Sequence, residues 1–243
     1  MLNQRSKQVR RDAIAISKAN GGYHYGGSFS CAEILVALYD SILKKEDKFI
    51  LSKGHGCWVY YVLLRERGYN PLLEGHPHFD PHNGIYCTTG SMGHGLPVGM
   101  GIAMAKQIKN DTGHVYVIMG DGECQEGTTW ESLLIAGRLK LQNLIAIVDY
   151  NRIQGSDYVE NVLPMRKPVE AAASAAGWEV LEMDGHNDDF LNWAKNRKLD
   201  GKPVLIVANT IKGKGVSFME NSPKWHSNWL GGDFEKKAME ELT

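Results

Sequence analysis

No two of the four cysteines stand close together: Cys31, Cys57, Cys87 and Cys124 are widely spaced and form no C-x-x-C pair. Neither a zinc knuckle nor a disulfide framework is suggested, and a reducing, cytoplasmic setting fits the chain best. An excess of either charge is also missing, since 27 basic and 28 acidic residues leave a formal net charge of −1 and a pI near 6.8. Without surplus basicity nothing would hold a phosphate backbone or an anionic bilayer, so nucleic acid and membranes are set aside as partners. The N-terminus, Met1-Leu2-Asn3-Gln4-Arg5, has no apolar signal segment. No later stretch approaches the roughly eighteen uncharged apolar residues of a membrane span. Repeats, low-complexity tracts and linkers are absent as well, and residues 1–243 read as one compact, soluble, unprocessed domain.

What is present is an alternation of apolar runs and helical periods. Val115 to Met119, Leu144 to Val148 and Val204 to Ala208 are short and rich in β-branched residues, which suits strands buried on both faces of a parallel sheet. Trp130 to Leu141 has a helical period, opened by Thr128 and Glu131 as a capping box. Ser30 and Glu33 read as another such box ahead of Ile34, Leu35, Ala37 and Leu38. Trp178 to Met183 adds a strand between an alanine-rich helix from about Pro168 and a helix over Asp189 to Asn196, and Glu235 to Glu240 reads as a terminal helix. The pattern predicts an α/β fold, a doubly wound, mostly parallel sheet flanked by helices, with ligands beyond the carboxyl ends of its strands.

Two of those strand ends carry chemistry. Gly120-Asp121-Gly122-Glu123-Cys124-Gln125-Glu126-Gly127 follows the first run, and Asp149-Tyr150-Asn151-Arg152-Ile153 follows the second. On neighbouring strands, Asp121 and Asn151 emerge side by side. A carboxylate, an amide oxygen and a main-chain carbonyl are hard oxygen ligands, which phosphate oxygens and water would complete to the octahedron magnesium demands. Gly120 and Gly122 let the backbone approach a phosphate, and a helix N-terminus just beyond adds a favourable dipole. Gly-Asp-Gly alone is an ordinary turn after a strand. Joined by strand-helix-strand spacing to Asn151, it resembles the thiamine diphosphate motif.

With these residues the sequence resembles the N-terminal, diphosphate-binding region of transketolases, and the resemblance runs across nearly the whole chain. His24-Tyr25-Gly26-Gly27-Ser28 is similar to the family's Gly-His-Pro-Gly-Gly-Ser segment, with Tyr23 and Tyr25 departing from its small residue and proline. Leu51-Ser52-Lys53-Gly54-His55, Gly75-His76-Pro77 and Thr88-Thr89-Gly90-Ser91-Met92-Gly93-His94-Gly95 resemble three further blocks. The resemblance implies that Asp121, Asn151 and the carbonyl of Ile153 hold the metal, Mg2+ or alternatively Ca2+ or Mn2+. It implies that His55, Gly90, Met92, Gly93, Asp121, Gly122, Glu123, Asn151, Ile153, Ile211, Lys212 and His226 form the cofactor site. Glu126 matches a glutamate at the subunit contact that helps couple two active sites. His24, His55, His76 and His226 match the family's histidines around the substrate's hydroxyls and carbonyl oxygen, roles that suit imidazole near neutral pH. His94 falls at a variable position, His78, His82 and His114 match no block and read as surface residues, and His186 stands between the two groups. Lys212 could meet the diphosphate or belong, with Lys214, to a solvated turn.

The resemblance also implies a missing part. Activation of the coenzyme needs a carboxylic acid at its pyrimidine ring. In the family this glutamate belongs to a second, pyrimidine-binding domain, for which the chain to Thr243 leaves no room. A separate C-terminal subunit is expected to supply that domain, in a heterotetramer of two plus two chains. The expected activity is transfer of a two-carbon ketol unit from a ketose to an aldose, with sugars, phosphorylated or free, as substrates. The alternatives are an alpha subunit of a 2-oxo acid dehydrogenase, which the histidines disfavour, and a noncatalytic regulatory subunit retaining the fold. A nicotinamide-binding Rossmann domain is excluded, because no G-x-G-x-x-G follows an early strand.

Overall fold

The computed structural model describes residues 3–155, 157–198 and 200–243; Met1, Leu2, Ser156 and Leu199 lie outside the described residues. In chain order its strands are β1 (Lys48–Leu51), β2 (Val115–Gly120), β3 (Leu144–Tyr150), β4 (Ile153–Gln154), β5 (Asp157–Tyr158), β6 (Glu179–Asp184) and β7 (Val204–Asn209). Five of them form a parallel sheet in the spatial order β1-β2-β3-β7-β6, and β4 and β5 make a small antiparallel ribbon. The helices are α1 (Gln4–Lys18), α2 (Tyr25–Ser30), α3 (Ala32–Ala37), α4 (Cys57–Arg65), α5 (Gly95–Lys109), α6 (Gly127–Arg138), α7 (Val159–Val162), α8 (Arg166–Ala175), α9 (Asp189–Asn196) and α10 (Asp233–Glu241). Among the described residues, no helix is long and apolar enough to cross a membrane.

The unbroken apolar runs become intelligible once both sheet faces are covered. Side chains alternate along a strand, so Ile145 and Ile147 enter the core shared with α1, α3, α4 and α9. Leu144, Ala146 and Val148 enter the opposite core, shared with α5, α6 and α8. Each fully buried Val, Leu or Ile there contributes roughly 1.5–3 kcal/mol relative to exposure, which leaves no polar position to be spared on either face. Eight of the nine residues of α4, CWVYYVLLR, are buried, because this helix is hemmed in on nearly every side.

The chain's progress across the sheet reverses after β6. The chain crosses by α8 to the edge strand β6 on one face and returns by α9 to β7 on the other. Right-handed crossovers running in opposite directions must use opposite faces, which opens a crevice at the carboxyl ends of β3 and β7.

Three local expectations need correction. Neither capping box forms: α2 ends at Ser30, the N-cap of α3 is Cys31, and no side chain caps α3. The helix expected from Trp130 begins at Gly127 with Glu126 as its N-cap, and the Thr128 hydroxyl instead donates to the Gly93 carbonyl at 2.9 Å. Both hydroxyls are taken by tertiary partners, which a local pattern cannot reveal. Finally, the edge strand β1 escapes a reading by apolar runs, because only Phe49, Ile50 and Leu51 separate Glu46-Asp47-Lys48 from Ser52-Lys53.

Candidate active site

β2 and β3 pair in a register that sets Gly120 beside Asp149, so the two motif segments leave the sheet together. Asp149 is fully buried and saturated with donors. Its Oδ2 accepts from the Lys53 ammonium, from Ser30 Oγ at 2.5 Å and from Asn151 Nδ2 at 3.0 Å, while its Oδ1 accepts from the Thr210 hydroxyl. Burial alone would raise this carboxyl's pKa, but the Lys53 charge and the hydroxyl donors outweigh it and hold the pKa below the ordinary value. Lys53 also donates to the Gly27 carbonyl at 2.6 Å and to Ser30 Oγ at 3.2 Å, which joins α2 to the sheet.

This saturated carboxylate orients its neighbour. Because Asn151 Nδ2 is drawn to Asp149, the amide oxygen must face the other way, where it accepts from Ile153 N at 3.1 Å. Asp121 converges on the same turn: its Oδ2 accepts from Arg152 N and its Oδ1 from Gly122 N. Two side-chain oxygens from different strands are thus tied to consecutive amides of one loop, and the adjoining Ile153 carbonyl accepts from Lys212 Nζ at 2.9 Å. Arg152 takes a left-handed φ of 68°, the bend that brings these groups round.

Asp121 has the opposite electrostatics to Asp149. Its burial, followed by the charge of Asp149, raises its pKa to about 7. Burial and the neighbouring Lys53 lower the Lys212 ammonium to about 8. The donor set of carboxylate, amide oxygen and carbonyl is chemically suited to a hard divalent cation, and a cation already approaches Ile153 O in the form of Lys212. Asp121, Asn151 and Ile153 could therefore hold a metal, with Lys212 beside it. Lys212 is 1% exposed, so it does not belong to a solvated turn; Lys214, by contrast, is half-buried next to Glu220.

Four sequence-distant histidines gather beside this cradle. The rings of His24, His55 and His226 lie 5.2–5.4 Å apart, centroid to centroid. His76 approaches them across Gly90, whose missing side chain leaves a Cβ position 3.3 Å from the His76 ring at a φ of 135° that only glycine adopts readily. His24 Nδ1 donates to the His226 carbonyl at 2.7 Å, which leaves its Nε2 as an acceptor. His226 Nδ1 accepts from Lys212 Nζ at 2.7 Å, so its Nε2 carries the proton. Burial is the leading cause that lowers all four pKa values, reinforced for His55 by Lys53 and Lys212. His226 falls to about 3 through burial and the Lys212 charge. The cluster is thus a set of neutral imidazoles that can donate to and accept from hydroxyls.

Not every expected cofactor residue faces this cluster. Both oxygens of buried Glu123 are engaged internally, by Ser52 Oγ at 2.6 Å, Gly93 N at 2.8 Å and Gly120 N at 2.8 Å, so it braces three loops instead of meeting a ligand. Glu126 occupies the N-cap position of α6 without a side-chain cap bond and packs on Gly93, where a Cβ would meet its own Cβ at 2.6 Å. Met92 is half-exposed, Gly122 is buried against Gln154, and Ile211 follows the end of β7. Among the remaining histidines, His78 and His82 are exposed, and His94 bonds the Met92 carbonyl at the start of α5. His114, expected at the surface, is partly buried 3.7 Å from Asp47. The residues missed are Lys53 as an ionic partner, Asp149, Ser30 and Thr210. An aspartate ending the otherwise apolar run Leu144 to Val148 was the one available signal.

Comparison with known proteins identifies the family. The family model described as "Transketolase, thiamine diphosphate binding domain" matches residues 4–242. One of the named subunits of the apulose-4-phosphate transketolase of Actinobacillus succinogenes is 36% identical, with 99% of this chain and 95% of that protein covered. The SqwG subunit of the 6-deoxy-6-sulfo-D-fructose transketolase of a Clostridium species is 38% identical over 99% and 96%. Rat transketolase is 30% identical over 99% of this chain but 42% of its own length. The solved transketolase of Campylobacter jejuni superposes with a TM-score of 0.84 at 29% identity, covering 98% of this chain and 42% of that one. The fold is accordingly that of a thiamine diphosphate-binding domain, and thiamine diphosphate is its cofactor. The chain belongs to the transketolase family, a family of transferases.

Proposed function

We propose that this chain is the thiamine diphosphate-binding subunit of a two-component transketolase, and that Asp121, Asn151 and the Ile153 carbonyl would hold the divalent metal that accompanies the cofactor's diphosphate. The observation that carries the reading is the convergence of the Asp121 and Asn151 oxygens on the consecutive amides of Arg152 and Ile153, beside the four imidazoles. Family membership favours it over a 2-oxo acid dehydrogenase subunit. The relatives named as subunits, with which this chain is nearly coextensive, support a split enzyme whose partner brings the pyrimidine-binding domain and its activating glutamate. The assembly is a heterotetramer of two chains of each kind, with Glu126 at the contact between subunits. Four free, buried thiols fit a cytoplasmic setting.

When bound, thiamine diphosphate supplies the carbon nucleophile that moves a two-carbon ketol unit from a ketose to an aldose. The chain's own share is to grip and to move protons. His24 Nε2 is placed as an acceptor and His226 Nε2 as a donor for sugar hydroxyls, and neutral His55 and His76 can serve either role. Gly90 would let the backbone come close to the cofactor, and Lys212 would bring positive charge to its diphosphate.

The test is to assemble the chain with a candidate partner carrying a pyrimidine-binding domain and to follow ketol transfer from ketose to aldose. Turnover that needs both chains, thiamine diphosphate and Mg2+ is expected. Cofactor binding without transfer under any partner would favour the regulatory reading, and no cofactor binding by the assembled pair would overturn the proposal.

A further inference from the structure

His186 lies outside the histidine cluster, and nothing in the proposed chemistry uses it. It sits in the turn Asp184-Gly185-His186-Asn187 after β6, and each of the first three residues has a visible task. Asp184 Oδ1 accepts from His186 N at 2.8 Å and tightens the turn. Gly185 presses that turn onto the end of β7: its amide donates to the Asn209 carbonyl at 2.8 Å, and a Cβ would stand 2.4 Å from the Thr210 side chain. The close approach carries the His186 ring to the residue after Thr210, where its Nε2 accepts from Ile211 N at 2.8 Å.

The ring is itself held from behind. Arg10, fully buried, grips Glu33 with both guanidinium ends at 2.6 and 2.9 Å, and Glu33 Oε2 bonds His186 Nδ1 at 2.9 Å. Other donations, to the Ser6 and Phe29 carbonyls at 3.1 and 2.7 Å, fix the arginine in α1. A carboxylate on Nδ1 places the proton there and leaves the Nε2 lone pair for the Ile211 amide, as a histidine ligand's outer partner does at a metal. Segment 210–212 is then fastened at each residue: Thr210 to Asp149, Ile211 to His186, and Lys212 to Ile153 and His226. Two of these clamps run into the cation cradle. The third runs away from it, through Glu33 to α1.

We infer that His186 is a positioning residue for the cofactor-lining segment Thr210 to Lys212, acting through the Ile211 amide and oriented by the Arg10–Glu33 pair. The inference rests on the reading of the site given under Proposed function. His186→Gln keeps a donor for Glu33 and an acceptor for Ile211 at similar spacing, whereas His186→Leu keeps the bulk and neither bond. In the assembled two-chain enzyme, His186→Leu should weaken thiamine diphosphate affinity, read by calorimetry at saturating Mg2+, about tenfold, the usual scale for losing such an outer partner. Turnover at saturating cofactor should be nearly unchanged, and His186→Gln should restore the affinity. Unchanged affinity in His186→Leu, or equal impairment in both variants, would overturn the inference. Should His186→Leu fail to assemble, hydrogen exchange on the wild-type chain decides: the Ile211 amide should be protected, and exchange at an unprotected rate would refute it. A wild-type complex that binds no cofactor would instead sink the proposed function and leave the exchange result readable.

Discussion

Asp121 and Asp149 stand at the ends of adjacent parallel strands and are almost equally hidden, at 5% and 0% exposure, yet the chain treats them in opposite ways. Asp149 takes four side-chain donors, one of them the Lys53 ammonium, and its pKa is held below the ordinary value. Asp121 takes only two backbone amides, and its pKa is driven up to about 7 by burial and by Asp149 itself. A buried charge is tolerated where it is paired and is costly where it is not. The contrast separates a carboxylate that builds the framework from one that, under the proposed function, would meet a cation. Asn151 lies between them, with its amide nitrogen on the first and its oxygen turned to the loop that holds the second.

The largest effect should come from breaking the paired member. Asp149→Ala strands the Lys53 ammonium inside the protein, and chemical denaturation should show a loss of about 3–5 kcal/mol. The same change at Asp121 should leave metal-free stability within about 1 kcal/mol, since no fully paired charge is removed. Calorimetry of the assembled complex should nonetheless show metal-dependent cofactor affinity weakened at least about a hundredfold, as a charged ligand is lost; unchanged affinity would erase the distinction. Ser30→Ala trims one charge-assisted donor from Asp149 and should cost about 2 kcal/mol of stability with little effect on cofactor affinity.

Acidity sharpens the comparison with the smallest effect. The Asp121 carboxyl ionises in the fold only as pH rises through about 7, against an ordinary value of 3.8. Its pKa is raised, so it favours folding of the ion-free chain below the ordinary value and this contribution is lost as pH climbs toward about 7. Cation binding requires the ionised form and should strengthen over the same interval, by at most about tenfold per pH unit. Thermal shifts with Mg2+ and thiamine diphosphate should grow from about pH 5.5 to about pH 8. In Asp121→Asn this growth should vanish, and a wild-type response flat in pH would contradict the assignment.

Much of the fold was legible because the physics that sets it is local. The runs Val115 to Met119, Leu144 to Val148 and Val204 to Ala208 are strands, and α9 spans Asp189–Asn196 as expected. What stayed hidden depends on distant partners. Ser30 and Thr128 looked like caps, but their hydroxyls are used by Asp149 and by Gly93. The Lys53–Asp149 pair joins residues 96 positions apart, which no periodicity reports. The histidines could be singled out only through family resemblance, since nothing in their spacing announces that His24, His55 and His226 share one neighbourhood.

Glu123 gathers the loops that begin at Ser52, Gly93 and Gly120 onto a single carboxylate. A joint of this kind makes three separate walls behave as one rigid mount, so none can be reshaped without disturbing the others. Among the described residues, the stretch from Gly75 to His82 has no hydrogen bond to this joint, and it carries exposed His78 and Phe79 just past His76 in sequence.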